Sequence, residues 1–155
     1  MTIEQALRDE KLGSVAVSNP TSVPRGTSLR DTLRVMREEG VGAVLICEGE
    51  RLVGIFTERD VLNKLIGNRI SESEPVDRFM TPEPAVLRPT DCLGDAVQMM
   101  TERGYRHIPL IDGQGRRAGM IAARDIVNYV AEHFPAEVVN LPPRLDQEFK
   151  SPEGA

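Results

Sequence analysis

The residues able to do chemistry are few, and most of them bind rather than react. The chain has two histidines, His107 and His133, and two cysteines, Cys47 and Cys92. No serine or cysteine stands in a nucleophile motif, and no spacing of His, Cys or carboxylates matches a metal site. Both cysteines sit among apolar neighbours and read as plain buried thiols. His133 falls late in a helical stretch, where a cation suits the helix dipole, and reads as a surface residue. An enzyme is therefore not expected. Thr57 stands three residues before Asp60. Thr-x-x-Asp is close to a capping box, in which the hydroxyl and the carboxylate close the first turn of a helix. The same two groups can hydrogen-bond a polar ligand. The roles are compatible, and spacing alone does not separate them.

Bulk composition narrows the partners. The net charge is −5, which disfavours binding nucleic acid through a basic face. Aromatics make up 4% and Trp is absent, so stacking platforms for single strands are lacking. The longest apolar run, Val41 to Cys47, is far short of the roughly 20 residues that span a bilayer. Met1 to Glu10 carries mixed charge and no apolar core, unlike a secretory signal. No nucleic acid, no membrane and a cytoplasmic location are the expectations.

These polar residues occur inside a repeat. Laid on itself with a shift of 64, the chain puts Pro20 on Pro84, Leu29 on Leu93, Asp31 on Asp95, Met36 on Met100 and Gly40 on Gly104. One residue is inserted in a later turn, and the shift becomes 65: Gly54 falls on Gly119, Arg59 on Arg124 and Asp60 on Asp125. Each copy reads as an extended piece (Thr21–Val23; Ala85–Leu87), then an amphipathic helix with Leu29, Leu33 and Met36, or Leu93, Val97 and Met100, on one face. Thr27 and Asp91 are candidate N-caps, and Gly40 and Gly104 candidate C-caps. A hairpin follows, Ala43–Cys47 with Leu52–Phe56, or Ile108–Ile111 with Ala118–Ile121. A closing helix ends each unit, Glu58–Ile66 or Arg124–Glu132.

The expected organisation is a lead-in helix (1–13), repeat one (14–67), a linker (68–79), repeat two (80–134) and a tail (135–155). In the tail, Val138, Val139 and Leu141 are expected to pack on the body and Lys150 to Ala155 to be disordered. The fold class is α+β, a mixed α/β arrangement of two β-α-β-β-α units. One such unit has a thin core, so the two should share a buried face as a pseudo-twofold pair.

The segments Gly54-Ile-Phe-Thr-Glu-Arg-Asp-Val61 and Gly119-Met-Ile-Ala-Ala-Arg-Asp-Ile126, with Met80-Thr-Pro-Glu-Pro84 and Arg106-His-Ile-Pro-Leu110, carry a signature. Over roughly residues 14–134 the chain resembles tandem CBS domains, the regulatory pair called a Bateman module. The resemblance implies an adenine-nucleotide sensor, with AMP favoured and ADP or ATP open. No cofactor is obligatory. It also implies a homodimer and a regulated partner protein that the sequence does not name. S-adenosylmethionine binding, or an interaction and dimerisation module that binds no nucleotide, are the alternatives.

In such pairs the hydroxyl and Asp of one repeat work with the first strand of the other, which implies two unequal clefts here. In cleft one, Asp60 would accept both ribose hydroxyls and Thr57 would bond ribose or phosphate. Arg106 and His107 would face the phosphates, with Arg59 in reach; Arg suits that role through fixed bidentate donors, and His only when protonated. The helix starting at Glu58 would add amide donors and a positive dipole end. Met80, Pro84, Ala85, Val86 and Leu87 would flank the base, and Val41, Gly42 and Ile55 would line it. Cleft two would use Asp125 and Arg124 with Thr21, Ser22 and Val23. There Ala122 replaces the hydroxyl, Gly42 and Ala43 replace the basic pair, and Leu45 stands opposite Pro109. One nucleotide per chain, in cleft one, is the expectation.

Overall fold

The structure is a computed structural model and describes residues 1–136. The tail residues Val138, Val139, Leu141 and Lys150 to Ala155 lie outside the described residues. The lead-in is two short helices, not one: α1 (Ile3–Asp9) and α2 (Leu12–Val15). Copy one follows as β1 (Ser22–Pro24), α3 (Leu29–Glu39), β2 (Ala43–Glu48), β3 (Arg51–Thr57) and α4 (Glu58–Asp60). The chain continues from α4 as a π-helical stretch, Val61–Leu65, where a regular closing helix was expected. Copy two comprises β4 (Thr81–Pro82), α5 (Leu93–Arg103), β5 (His107–Ile111), β6 (Arg117–Ala122) and α6 (Ala123–His133).

The helix caps fall one residue later than expected. Ser28 Oγ accepts from the Asp31 N–H at 3.1 Å, and the Asp95 carboxylate accepts from the Cys92 N–H at 3.0 Å. Thr27 and Asp91 close the preceding turns instead: the Thr27 hydroxyl donates to the Pro24 carbonyl, and Asp91 accepts from the Arg88 N–H. Gly40 and Gly104 do end their helices in the left-handed conformation. Cys47 is buried, and burial pushes its thiol pKa up. Cys92, at a helix start beside Lys11, is only half-buried.

Four strands pair in the order β1-β2-β3-β4, and β5 pairs with β6. The extended piece Ala85–Leu87 is not a strand; it keeps a single parallel bridge, Leu87 to Leu110. Proline explains the difference. In copy one the Leu45 N–H donates to the Thr21 carbonyl at 3.0 Å. Pro109 occupies the matching place in copy two and has no N–H to give.

The two copies exchange their leading segments. Val17 exchanges both backbone hydrogen bonds with Met120 on the free edge of β6, and Thr81–Pro82 forms β4 on the edge of β3. Leu12 donates to Asp91 O and Leu93 to Glu10 O; in the matching places Val76 donates to Thr27 O and Leu29 to Glu74 O. The stretch expected as a linker is therefore the lead-in of copy two, docked on copy one. Val76 is fully buried there, as Leu12 is on copy two. The hairpin turns also pair across the pseudo-twofold, Leu52 N–H to Gly115 O and Arg117 N–H to Glu50 O.

Alternation along the strands divides the core. Val44 and Ile46 join Leu29, Met36 and Phe56 beneath α3. Their counterparts Ile108 and Leu110 join Leu93 and Ile121 beneath α5. Ala43, Leu45 and Cys47 point the other way and meet Ile55 and Met120, forming the seam between the sheets.

Candidate functional site

The exchange of leading segments brings the end of β3 and the start of α4 opposite the start of β5. A cleft of about 650 Å³ lies there. Copy one contributes Gly42, Ile55, Thr57, Arg59 and Asp60; copy two contributes Pro84, Ala85, Arg106 and His107. Nine of the thirteen residues expected in cleft one thus meet. The other four do not line it. Met80 is 8% exposed and lies over Gly54 in the core of copy one, and Val41 packs on that same core. Leu87 packs on the core of copy two, and Val86 is half-buried away from the cleft.

Six lining residues were not read from the sequence: Glu58, Leu62, Asn63, Thr81, Glu83 and Tyr105. Leu62 and Asn63 lie within one turn of Asp60, so helical geometry could have found them. Tyr105, directly before Arg106, is one of only two tyrosines. Glu83 stands between two prolines at φ 44°, a left-handed conformation in a non-glycine residue.

Thr57 and Asp60 form the capping box. The Asp60 N–H donates to Thr57 Oγ1 at 3.4 Å, and Asp60 Oδ2 accepts from the Thr57 N–H at 2.9 Å and its hydroxyl at 3.2 Å. Asp60 is only 7% exposed. The helix start offers fewer amides than expected, because α4 has three residues and the Glu58 N–H is taken by the Gly42 carbonyl at 3.0 Å. Asp125 makes the same backbone cap without a hydroxyl partner: its Oδ2 accepts from the Ala122 N–H at 2.8 Å. Backbone capping alone therefore accounts for an Asp at this place in both copies.

The charged end of the cleft draws on both copies. The Arg59 guanidinium reaches the Gly104 carbonyl at 3.4 Å, which holds it against Tyr105 and Arg106. Burial lowers the His107 pKa below 6.5, while Glu58 and Asp125 act to raise it. His107 is therefore mainly neutral at pH 7. Two arginines face three carboxylates in the lining: Glu58, Asp60 and Glu83. At the other end, the Ala85 carbonyl accepts no hydrogen bond among the described residues, because Pro109 cannot donate to it.

The residues expected in cleft two are placed differently. The Thr21 carbonyl is taken by Leu45, and its hydroxyl donates to Glu39. Ser22 Oγ accepts from Arg117, and Val23 is buried in the core of copy one. Arg124 is exposed. Asp125 lines a separate cavity of about 280 Å³ with Glu10, Asn128 and Tyr129, which contains none of Thr21, Ser22 or Val23. Among the described residues no cluster of His, Cys, Asp or Glu suits a metal ion, and no helix is long and apolar enough to cross a membrane.

Comparison with known proteins agrees with this architecture. The chain is 35% identical, over 72% of its length, to the mitochondrial CBS domain-containing protein CBSX3 of Arabidopsis thaliana. It spans 56% of that protein, and 37% and 63% of two other curated relatives. Among solved structures, CBSX2 in complex with AMP superposes with a TM-score of 0.69 at 25% identity, covering 79% of this chain and 96% of that one. A protein with CBS domains from Burkholderia ambifaria gives 0.70 at 29% identity, covering 86% and 96%. The family model for the CBS domain matches twice, at residues 12–67 and 76–132, each match holding one β-α-β-β-α copy. The chain belongs to the CBS domain family, as a tandem pair.

Proposed function

We propose that this pair is a regulatory module that binds one adenine nucleotide, AMP by preference, in the cleft between Asp60 and Arg106. The observation that carries the reading is the convergence, in one cavity, of three groups suited to three parts of the ligand. The Asp60 carboxylate suits ribose hydroxyls. Arg59 and Arg106, one from each copy, suit a phosphate. The unpaired Ala85 carbonyl suits an exocyclic amine, between Ile55 and Pro84 as apolar walls. The AMP complex of the related CBSX2 supports the ligand class.

The charge balance favours a monophosphate. Two arginines can neutralise one phosphate, but Glu58 and Glu83 oppose a longer chain. Those same carboxylates make S-adenosylmethionine the second reading, since its sulfonium and amino groups are cationic. The asymmetry of the clefts favours one ligand per chain: in copy one Leu45 uses the Thr21 carbonyl that corresponds to Ala85.

As a module that senses AMP, the chain would report cellular energy state to a partner protein in the cytoplasm without turning over substrate. Homodimer formation through the closing segments fits Leu62 and Val127. They occupy equivalent places in the two copies and are 68% and 65% exposed.

Calorimetry with AMP, ADP, ATP and S-adenosylmethionine tests the reading. The expected result is one AMP per chain, with D60A weakening binding about 30- to 150-fold, the loss of a buried charge-assisted contact of about 2–3 kcal/mol. Two equal sites, or binding indifferent to D60A, would refute it. No binding by any of the four ligands would leave an interaction module.

A further inference from the structure

The π-helical stretch after Asp60 places a lysine outside the cleft, where it joins Asp60 to the chain just before β4. Lys64 Nζ lies 2.9 Å from Asp60 Oδ1. The same ammonium donates to the Phe79 carbonyl at 2.7 Å. Phe79 immediately precedes Met80 and β4, the segment that continues as Thr81, Glu83, Pro84 and Ala85 along the cleft. Lys64 itself does not line the cavity.

The acceptor count at Asp60 makes this contact consequential. A carboxylate offers about four acceptor positions. Thr57 takes two on Oδ2, through its N–H and its hydroxyl, and Lys64 takes one on Oδ1. A ribose diol needs two. The Thr57 hydroxyl is the contact that yields most readily, because its bond is 3.2 Å long and its hydrogen rotates. Its withdrawal leaves one position on each oxygen. The Lys64 contact is short, anchored at a second point, and neutralises a carboxylate that is almost wholly buried. These features make it the contact a ligand would displace least readily.

We propose that Lys64 is a positioning residue for ligand binding: it fixes the Asp60 carboxylate for the two ribose hydroxyls and ties that carboxylate to the neighbouring segment that runs through β4 along the cleft. Because it acts through Asp60, its effect belongs to the ribose hydroxyls and not to the ligand as a whole. The proposal rests on the ribose role given to Asp60 above.

The test compares wild type, K64M, D60A and the double variant against AMP and 2′-deoxy-AMP by calorimetry, with thermal stability measured alongside. Wild type should prefer AMP over the deoxy analogue. K64M should weaken AMP about tenfold, weaken 2′-deoxy-AMP much less, and so lose most of the discrimination. On the D60A background K64M should add little, because coupled residues are not additive. K64M with full discrimination, or with equal losses for both ligands, would overturn the role of Lys64 while D60A still weakened binding. D60A without effect would overturn the site assignment itself. The Lys64 side chain is 40% exposed, so K64M is expected to fold.

Discussion

The difference between the two clefts reduces to single atoms, and the clearest is a missing hydrogen. Pro109 and Leu45 occupy equivalent places, yet only Leu45 has an N–H, and it donates to the Thr21 carbonyl at 3.0 Å. Replacing Pro109 by Leu should complete that bond to Ala85, extend the ladder and withdraw the acceptor from the cleft. AMP affinity should fall about 5- to 10-fold, the worth of one hydrogen bond of about 1 kcal/mol or slightly more. Thermal stability should hold or rise. Unchanged affinity in calorimetry would count against the Ala85 carbonyl as a ligand contact. His107 yields a second prediction. Burial lowers its pKa below 6.5, so the folded state resists the proton that the unfolded chain accepts. Its contribution to stability is therefore present above pH 6.5 and is lost as the pH falls below that value. A phosphate dianion in the cleft acts in the opposite sense and favours the imidazolium. AMP binding should take up a proton between the lowered pKa of the empty site and the higher one of the filled site. Calorimetry near pH 6 in buffers of different ionisation enthalpy reads that uptake, and H107Q should reduce it; equal uptake in both proteins would exclude His107. At this scale much was legible. Arg59 and Asp60 recur as Arg124 and Asp125, so the repeat itself marked them, whereas Thr57, Arg106 and His107 have no like counterpart and were placed in the cleft by the family resemblance. Glu58 and Glu83 were not legible, because an acidic residue at a helix start or between prolines has an ordinary explanation in capping and turns.

Among the elements, the hairpins were read within one or two residues, because short apolar runs on either side of a glycine-bearing turn admit few other structures. The closing element of copy one was not. Its residues Val61 to Leu65 have ordinary helical preferences, and no sequence pattern distinguishes a π stretch from an α turn. The strand expected at Ala85–Leu87 failed for a reason that was present in the sequence, the lack of an N–H at Pro109, but only the register made it count. The glycines Gly54 and Gly119 show what register adds. They match across the copies, and each faces the leading segment of the other copy. The obstacles differ. A Cβ at Gly54 would stand 2.3 Å from Met80 Sδ, within a flexible side chain that can move aside. A Cβ at Gly119 would stand 2.8 Å from the Val17 carbonyl oxygen, and the backbone there has φ +144°. Gly119→Ala should therefore cost about 2 kcal/mol or more, through both the contact and the backbone strain. Gly54→Ala should cost clearly less. Urea denaturation of the two variants gives the comparison, and an equal or reversed order would contradict the exchanged edge pairing of Val17 with β6.

At the scale of the whole molecule, the repeat was legible but its interlacing was not. The pairing of Leu12 with Val76 under the 64-residue shift is one apolar residue on another, too weak a match to find without the structure. Yet these two side chains lock the copies together. Leu12 is fully buried against α5, and its backbone donates to Asp91 O at 2.9 Å. Val76 is fully buried against α3, and its backbone donates to Thr27 O at 2.8 Å. Each copy therefore depends on a segment that precedes the other copy in sequence. Two independent β-α-β-β-α units would predict the opposite: a mutation in the stretch before a unit would loosen that unit. The exchange predicts that Leu12→Ala, which opens a cavity and should cost about 2–5 kcal/mol, loosens α5, β5 and β6 first. Val76→Ala, a smaller truncation that should cost somewhat less, should loosen α3, β2 and β3. Native-state hydrogen exchange resolves the two regions. Faster exchange in α3 than in α5 for L12A would show that the lead-in serves its own copy and would remove the basis for the interlaced pair. The predicted pattern also bears on signalling. Asp60 lies on copy one and Arg106 on copy two, so a ligand that joins them pulls on both copies at once. If the proposed nucleotide binds there, the interlacing at Leu12 and Val76 would carry that pull into the whole body and not into one half.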